Sequence, residues 1–144
     1  MCIRDRLKRL DELIIPLVTA RAPGLLALHG TGPDTAALLL AAAGDHPQRL
    51  RSESSRAHLC GVAPIPASSG KVAGRYRLNC GGNREANQAL WRIVITRMGS
   101  RPGHPATRAY VERRTREGLS KKEIIRCLKR YVAREVYQQL RDGT

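Results

Sequence analysis

Residues 120–140 place the strongest constraint on how this chain can fold. Ser120 and Glu123 stand three residues apart, and this spacing is typical of the capping box that begins a helix. After it, apolar residues recur every three or four positions, with lysines and arginines between them. This period predicts an amphipathic helix whose apolar face must be covered by other helices. The predicted apolar stripe consists of Ile124, Leu128, Tyr131, Val132, Val136 and Leu140.

The rest of the core has to be built from aliphatic side chains, because the chain has no Phe and only 3% aromatic residues. Its 42% of hydrophobic residues are mostly Leu, Ala, Ile and Val, which favour a helical core over a β-sandwich. Pro16 is expected to kink the first helix or to end it early. Helical spacing and capping signals predict further helices over residues 7–20, 34–43, 52–61, 83–98 and 105–117.

The segment between these helices, residues 62–82, is rich in Pro and Gly and predicts irregular structure, with a short hairpin around residues 74–79. The sequence therefore predicts a mainly α, small helical domain. Its N-terminal part is helix-hairpin-helix-like, its centre is an irregular Ser/Gly/Arg-rich loop, and its C-terminal helices are amphipathic. We assign residues 1–22 to an N-terminal helix left from a preceding element, and residues 23–144 to the domain. The opening MCIRDR, residues 1–6, resembles a cloning or assembly artefact and carries no functional argument.

Positive charge is concentrated in the second half of the chain. The 26 Lys and Arg residues exceed the 12 Asp and Glu residues, which gives a net charge of +14. Residues 1–70 contribute only +2 of this charge, and residues 71–144 contribute +12. Such an excess favours a polyanionic partner, DNA or RNA, although a solvated basic face is the alternative. The candidate phosphate contacts are Lys71, Arg75, Arg77 and Arg84, joined by Arg92 and Arg97.

The stretch LHGTGPDTAALLL contains a Gly-x-Gly turn, Gly30 to Gly32, that leads into a predicted helix. Backbone N–H groups at such a turn and the positive end of the helix dipole attract an anion. The pattern resembles the hairpin of helix-hairpin-helix motifs, which hold a DNA phosphate, but Thr31 replaces the usual apolar residue between the glycines. A plain packing corner between two helices is the alternative.

The stretch PASSGK places two hydroxyls, those of Ser68 and Ser69, ahead of Gly70 and Lys71. A serine hydroxyl attacks phosphorus only when a base, a metal or nearby cations assist it. Gly70 allows a turn that presents Ser69, and Lys71 is close enough in sequence to neutralise charge on a phosphoryl group. Ser-Ser-Gly is also a common loop sequence, and these residues alone do not separate the two interpretations.

No metal centre is predicted for this chain. The four cysteines form no Cys-x-x-Cys pair, and a zinc site from His58, Cys60 and Cys80 lacks a fourth ligand. The carboxylates are scattered and show no paired spacing. We find no signal peptide and no apolar run of about 20 residues, so we expect a cytoplasmic, nucleoid-associated bacterial protein without a membrane partner.

Four segments in their order along the chain resemble the C-terminal transposase domain of the IS110/IS116/IS902 family. They are LLALHGTGPDTAALLLAAAGD, LCGVAPIPASSGK, GRYRLNCGGNREANQALWRIVITRM and RAYVERRTREGLSKKEIIRCLKRYVAREVY. The resemblance extends from about Leu25 to Leu140. It implies a serine recombinase of insertion sequences that is directed by a bridge RNA and breaks and rejoins DNA strands. The family's nucleophilic serine immediately precedes a glycine, and this implies Ser69 as the catalytic residue.

The resemblance also implies partners and a cofactor. We expect DNA, a structured guide RNA and self-association of the full-length protein. In the family, a resolvase-like N-terminal domain binds Mg²⁺ through carboxylates. This chain lacks that domain, so we expect it to bind no cofactor and to be inactive alone. Cys80 also stands where a basic residue is commoner in the family. Two other classes remain open, a non-enzymatic helix-hairpin-helix module that binds DNA or RNA and a basic RNA-binding protein of a larger particle.

Overall fold

The computed structural model describes residues 2–43, 64–66, 76–78, 83–99 and 103–142. Within these ranges the chain is mainly α-helical, as predicted, with six helices and one pair of short strands. The predicted helix over residues 52–61 lies outside the described residues. In chain order the elements are α1 (Ile3–Arg21), α2 (Pro23–Ala27), α3 (Pro33–Ala43), β1 (Pro64–Pro66), β2 (Tyr76–Leu78), α4 (Arg84–Met98), α5 (Pro105–Arg116) and α6 (Lys121–Asp142).

The corner between α5 and α6 is fixed by local hydrogen bonds that the sequence predicts. Gly118 ends α5 with a left-handed φ of +94°, and the Leu119 N–H donates to the carbonyl of Arg114 over 3.1 Å. This is the Schellman arrangement, which favours glycine at the left-handed position. The predicted capping box then begins α6: the Ser120 N–H donates to the Glu123 carboxylate over 2.7 Å, and the Glu123 N–H donates to the Ser120 hydroxyl.

The core lies around α4, which packs against both α3 and α6. Leu90, Ile93 and Val94 of α4 are almost completely buried. Burial of each such side chain stabilises the fold by roughly 1.5–3 kcal/mol. The helices α1 and α2 complete this core with Val18, Ala22 and Leu25. From α6 come Ile124, Leu128, Val132, Ala133, Val136 and Leu140, which confirms most of the predicted stripe.

Tyr131 is the exception in that stripe. Its helical spacing predicts a core position, but 47% of the side chain is exposed. The neighbouring residue Val132, also predicted in the stripe, is buried, so the buried face of α6 is narrower than the periodicity suggests. The prediction that Tyr131 belongs to the buried stripe is therefore wrong, and its ring instead faces a groove described below.

The first helix is longer than predicted and only partly covered. It runs through Pro16 and ends at Arg21, so the early end considered for this proline is not observed. Val18 is buried and Ile14 packs against the core, which places the C-terminal half of α1 in contact with the rest of the domain. The remaining large apolar side chains of this helix are 41 to 76% exposed: Ile3, Leu7, Leu10, Leu13, Ile15 and Leu17.

The two strands pair in antiparallel fashion, with Pro64 opposite Leu78, Ile65 opposite Arg77 and Pro66 opposite Tyr76. The sequence predicts a hairpin around residues 74–79, and β2 lies there. Its partner strand was not predicted, since a Pro-x-Pro sequence lacks two of the N–H donors that a strand interior uses. This pair has no third strand among the described residues, so each proline can lie at an edge.

A search of the described helices for a segment that could cross a bilayer finds none with the required length and hydropathy.

Candidate nucleic-acid interface

Only some of the predicted site residues lie in the described part of the chain. The turn between α2 and α3 holds Gly30 and Gly32, while Arg77 is the middle residue of β2 and Arg84 is the first residue of α4. The remaining three lie outside the described residues, and they are Ser69, Lys71 and Arg75.

Gly30 adopts a left-handed backbone and packs against α4. Its φ is +86°, and a Cβ at this position would lie 3.2 Å from the carbonyl oxygen of Ile93 and 3.3 Å from Cβ of Thr96. Glycine is therefore needed both for the turn and for the close approach of two elements. Thr31 beside it is buried, as an apolar residue would be, and its N–H donates to the carbonyl of Leu28 over 3.1 Å. The turn thus has a packing role, and the phosphate contact of Gly30 and Gly32 stays a prediction.

A carboxylate already occupies the first turn of α3. Asp34 lies next to Gly32, where a Cβ would come within 3.2 Å of the Asp34 Oδ1 atom. The helix dipole stabilises this carboxylate, just as it would stabilise a phosphate. Arg92 of α4 pairs with Asp34 over 3.2 Å, and both side chains are exposed. A phosphate that approaches Gly32 would therefore lie close to the Asp34 carboxylate, whose negative charge is offset by Arg92.

Arg84 stands at a position that helix stability does not explain. Asn83 caps α4 by accepting a 2.9 Å hydrogen bond from the Ala86 N–H. Arg84 follows directly and is exposed. The positive end of the helix dipole disfavours a cation here. This placement is what a phosphate contact would require, although the contact itself stays a prediction.

The strand pair links the remaining predicted residues by topology. Because Pro66 and Tyr76 are paired, the connection over residues 67–75 begins and ends at neighbouring positions. Ser69, Lys71 and Arg75 belong to this connection. All three therefore lie between β1 and β2 along the chain.

Arg97 is not part of an exposed basic surface, and that prediction is wrong. It is buried, and its guanidinium forms two hydrogen bonds to the Glu135 carboxylate, over 3.1 and 2.7 Å. Its Nε donates a further 2.8 Å hydrogen bond to the carbonyl of His29. The sequence carries a signal for this role, since Arg97 follows Ile93 by four residues on the buried face of α4. Arg97 thus ties α4 to both α6 and the α2–α3 turn.

His104 caps α5 beside this ion pair. Its Nδ1 accepts a 3.3 Å hydrogen bond from the Thr107 N–H and lies 2.7 Å from the Thr107 hydroxyl. Burial lowers the pKa of His104, and the nearby Arg97 and His29 lower it further. The neutral imidazole is the form that can accept at Nδ1, so the lowered pKa and the cap support each other. The sequence offered no signal for this role, because histidine is an uncommon N-cap.

Two tyrosines stand near this polar cluster. The rings of Tyr110 and Tyr131 meet edge to face with centroids 5.7 Å apart. Burial raises the pKa of Tyr110 to about 12, and the neighbouring Cys127 contributes to the rise. The Tyr110 hydroxyl is therefore neutral at physiological pH and can donate a hydrogen bond. Neither tyrosine was predicted to belong to a site.

Similarity to known proteins identifies the class to which this chain belongs. A model of the transposase family IS116/IS110/IS902 matches residues 22–112, more than half of the chain, and the chain belongs to this family of insertion-element transposases. It is similar to the insertion element IS110 uncharacterized 43.6 kDa protein of Streptomyces coelicolor (strain ATCC BAA-471 / A3(2) / M145). The two are 30% identical over 147 residues, which cover 99% of this chain and 35% of the relative. The chain therefore spans about a third of the length of that relative.

Metal-binding side chains do not cluster among the described residues. No group of three or more His, Cys, Asp or Glu side chains gathers in a geometry that could hold a metal ion in this part of the chain. The described residues therefore do not fit the magnesium that the family implies. The zinc ligands considered from the sequence, His58, Cys60 and Cys80, lie outside the described residues.

Proposed function

We propose that this chain acts as the DNA-contacting C-terminal part of a guide-RNA-directed transposase and supplies the serine that breaks and rejoins DNA. The observation that carries the proposal is the match to the transposase family over residues 22–112, a range that includes Ser69 and Gly70. The similarity over 99% of the chain to an insertion-element protein supports it further. The concentration of charge in residues 71–144 is what a partner of nucleic acid would need.

The proposed reaction is a phosphoryl transfer to Ser69. The Ser69 Oγ attacks a scissile DNA phosphate, the bond from phosphorus to the 3′ oxygen breaks, and the 3′ oxygen takes up a proton as it leaves. The proton of the serine hydroxyl is lost in the same step, and the product is a phosphoserine link to the 5′ end. Attack by a new 3′ hydroxyl reverses these steps and restores the serine. Cations in the same loop would stabilise the charge on the phosphoryl oxygens.

The proposed phosphate contacts are made by the central cations rather than by the whole basic surface. Lys71 and Arg75 belong to the same connection as Ser69, and Arg77 follows in β2. Positioning of the DNA backbone against a nucleophile needs contacts that surround the reacting phosphate, since their value lies in orientation. The exposed α6 cations Lys121, Lys122 and Arg126 lie far from Ser69 in the sequence. They would contact the guide RNA instead.

The first prediction concerns the salt dependence of DNA binding. Replacement of Lys71, Arg75 and Arg77 by Gln should lower the slope of log affinity against log salt by about 3, because each lost phosphate contact removes about 0.9 from the slope. Fluorescence anisotropy of a labelled duplex in a salt series measures this slope.

A matched control carries the same loss of charge at another place. Lys121, Lys122 and Arg126 are exposed on α6, and their replacement by Gln also removes three positive charges. If the slope of log affinity against log salt falls equally in the two triple variants, Lys71, Arg75 and Arg77 contribute no more to DNA binding than other cations of the basic surface. A loss confined to the first variant supports the proposed contacts.

We also propose that the full-length protein self-associates through α1. Leu7, Leu10, Ile14 and Leu17 alternate at spacings of three and four residues, which is the pattern of a left-handed coiled coil. Leu7, Leu10 and Leu17 are more than half exposed, and only Ile14 contacts the core. A second copy of the same helix would cover the exposed leucines of this seam, Leu7, Leu10 and Leu17, with identical side chains.

The second prediction tests this seam. Leu10→Lys should shift the protein from dimer to monomer at micromolar concentration, because it places two charges in the centre of the paired helices. Glu12→Lys is the matched control, since position 12 lies opposite the seam in the same heptad and should leave the dimer intact. Sedimentation velocity separates the two species. A wild-type protein that sediments as a monomer at all concentrations would contradict the proposal.

The other expectations from the family remain part of this proposal. Mg²⁺ would be bound by carboxylates of the N-terminal domain, as the family resemblance implies. A protein that acts on chromosomal DNA in bacteria would be located in the cytoplasm, at the nucleoid.

A further inference from the structure

A groove between α5 and α6 has the features of a small binding site. It encloses a cavity of about 260 Å³, and its floor is formed by α4 and α6. The floor residues Val94, Leu128 and Val132 are buried and apolar. The two tyrosines, Tyr110 and Tyr131, line it together with polar groups from three helices. An apolar floor with a few converging polar groups is the usual composition of a ligand site.

Tyr131 is the first residue that points to a ligand. A tyrosine at this position of an amphipathic helix would normally be buried, but here 47% of its surface is exposed. One edge meets Tyr110, and the guanidinium of Arg134 lies 5.8 Å from the ring centroid. Exposure of a large ring beside a cavity leaves apolar surface that a flat ligand would cover.

One turn further along α6, the groove offers a fixed hydrogen-bond acceptor. Glu135 lines the cavity, and its side chain is 41% exposed. Arg97, which is only 5% exposed at its side chain, holds both carboxylate oxygens of Glu135. Each of these oxygens has a second lone pair, so the carboxylate can still accept hydrogen bonds from a ligand. Because Arg97 is itself held by the carbonyl of His29, the acceptor is oriented before any ligand arrives.

An arginine at the edge of the groove indicates the kind of ligand. The guanidinium of Arg113 lies 5.3 Å from the centroid of the Tyr110 ring, and Arg113 is an exposed lining residue. Arginines that flank aromatic rings suit a ligand that is flat and carries negative charge beside its ring. A nucleotide has both properties, since its base stacks and its phosphate is anionic.

We propose that this groove binds one unstacked nucleobase of single-stranded DNA or RNA, with the base against Tyr131 and its exocyclic amino group donating to Glu135. The cavity is smaller than the roughly 300–1,000 Å³ of pockets for drug-sized ligands, which fits a single base. Carboxylates read cytosine through its amino group, so a base with this group is favoured over uracil or thymine. The proposal does not depend on Ser69, whose chemistry concerns a different part of the chain.

The experiment measures binding of labelled single-stranded oligonucleotides by anisotropy, at a salt concentration high enough to weaken phosphate contacts. Tyr131→Ala should lower the affinity for oligocytidine about tenfold, in line with the value of stacking one base on an aromatic ring. Tyr131→Phe keeps the ring and should bind nearly as well as the wild type. Trp91→Ala is the matched control, because Trp91 is 44% exposed but does not line the cavity.

The outcomes separate the proposal from simple electrostatic binding. Equal losses in Tyr131→Ala and Trp91→Ala, or no loss in either, would overturn the site. A duplex of the same length should bind Tyr131→Ala and the wild type with equal affinity, since its bases are stacked. If Tyr131→Ala lost as much affinity for the duplex as for the single strand, the site would also be overturned. The test compares oligocytidine with oligodeoxycytidine. A higher affinity for oligocytidine would indicate that the bound base belongs to RNA, which carries the additional 2′ hydroxyl.

A second variant tests the acceptor. Wild-type protein should prefer oligocytidine to oligouridine about fivefold, as a single specific hydrogen bond to a base edge allows. Glu135→Ala leaves no side-chain acceptor and should bring this ratio close to one. The ratio is the measured quantity, because partial unfolding of the variant would weaken both oligonucleotides equally and leave their ratio unchanged. A ratio that persists in Glu135→Ala would show that this carboxylate does not read the base.

Discussion

Ser69→Ala should abolish formation of a covalent protein–DNA adduct. The assay combines this chain with the N-terminal domain of a relative, a guide RNA, Mg²⁺ and a labelled DNA target, and it detects the adduct on a denaturing gel. Alanine lacks the Oγ that would bond to phosphorus, and no water molecule can replace it in a protein–DNA link. The adduct should therefore fall to background, whereas the anisotropy of DNA binding should stay within about twofold of wild type, since a neutral hydroxyl adds little to phosphate affinity.

Ser68→Ala is the control for that experiment. It removes a hydroxyl from the adjacent residue and should leave the adduct at its wild-type level. An adduct that persists in Ser69→Ala, or that is lost equally in Ser68→Ala, would remove Ser69 from the reaction. Binding without any adduct in the wild type would instead favour the non-enzymatic nucleic-acid module.

Local signals in the sequence predicted five of the six described helices, and the short α2 (Pro23–Ala27) was not predicted. The capping box of Ser120 and Glu123 and the glycine at position 118 fix the ends of α5 and α6, and both involve hydrogen bonds within a few residues. Such contacts are set by neighbours in the sequence, so their patterns can be read without knowledge of the fold. The strand Pro64–Pro66 was missed because its partner among the described residues, Tyr76–Leu78, lies ten or more residues away and its prolines argue against a strand.

The groove could not be predicted from the same patterns. Arg97 was assigned to a basic surface because a sequence shows its charge but not the carboxylate that meets it 38 residues later. The exposure of Tyr131 depends on how closely α5 approaches α6, and helical periodicity carries no information on that distance. The family resemblance, in contrast, rested on the order of several motifs along the chain, and the match over residues 22–112 confirms it.

Loss of Glu135 should destabilise the fold more than loss of Arg97, because Arg97 is the more deeply buried partner of this ion pair. Glu135→Ala should lower the free energy of unfolding by about 3 kcal/mol, because it leaves the guanidinium buried without its counter-charge. Arg97→Met should cost less, about 1 kcal/mol, since the carboxylate that remains is 41% exposed and can be hydrated. The methionine would fill much of the volume of the lost side chain. Urea denaturation at neutral pH measures both values.

The double variant decides whether the buried charge is the cause. In Arg97→Met with Glu135→Ala no charge is left in the interior, so the protein should be more stable than Glu135→Ala alone by about 2 kcal/mol. Arg92→Ala is the control on the same helix: its partner Asp34 is exposed, and the loss of such a pair costs less than about 1 kcal/mol. If Glu135→Ala were no more costly than Arg92→Ala, the ion pair would contribute no more than a surface pair. Arg97 would then not hold the Glu135 carboxylate in the fixed orientation that the nucleobase groove requires.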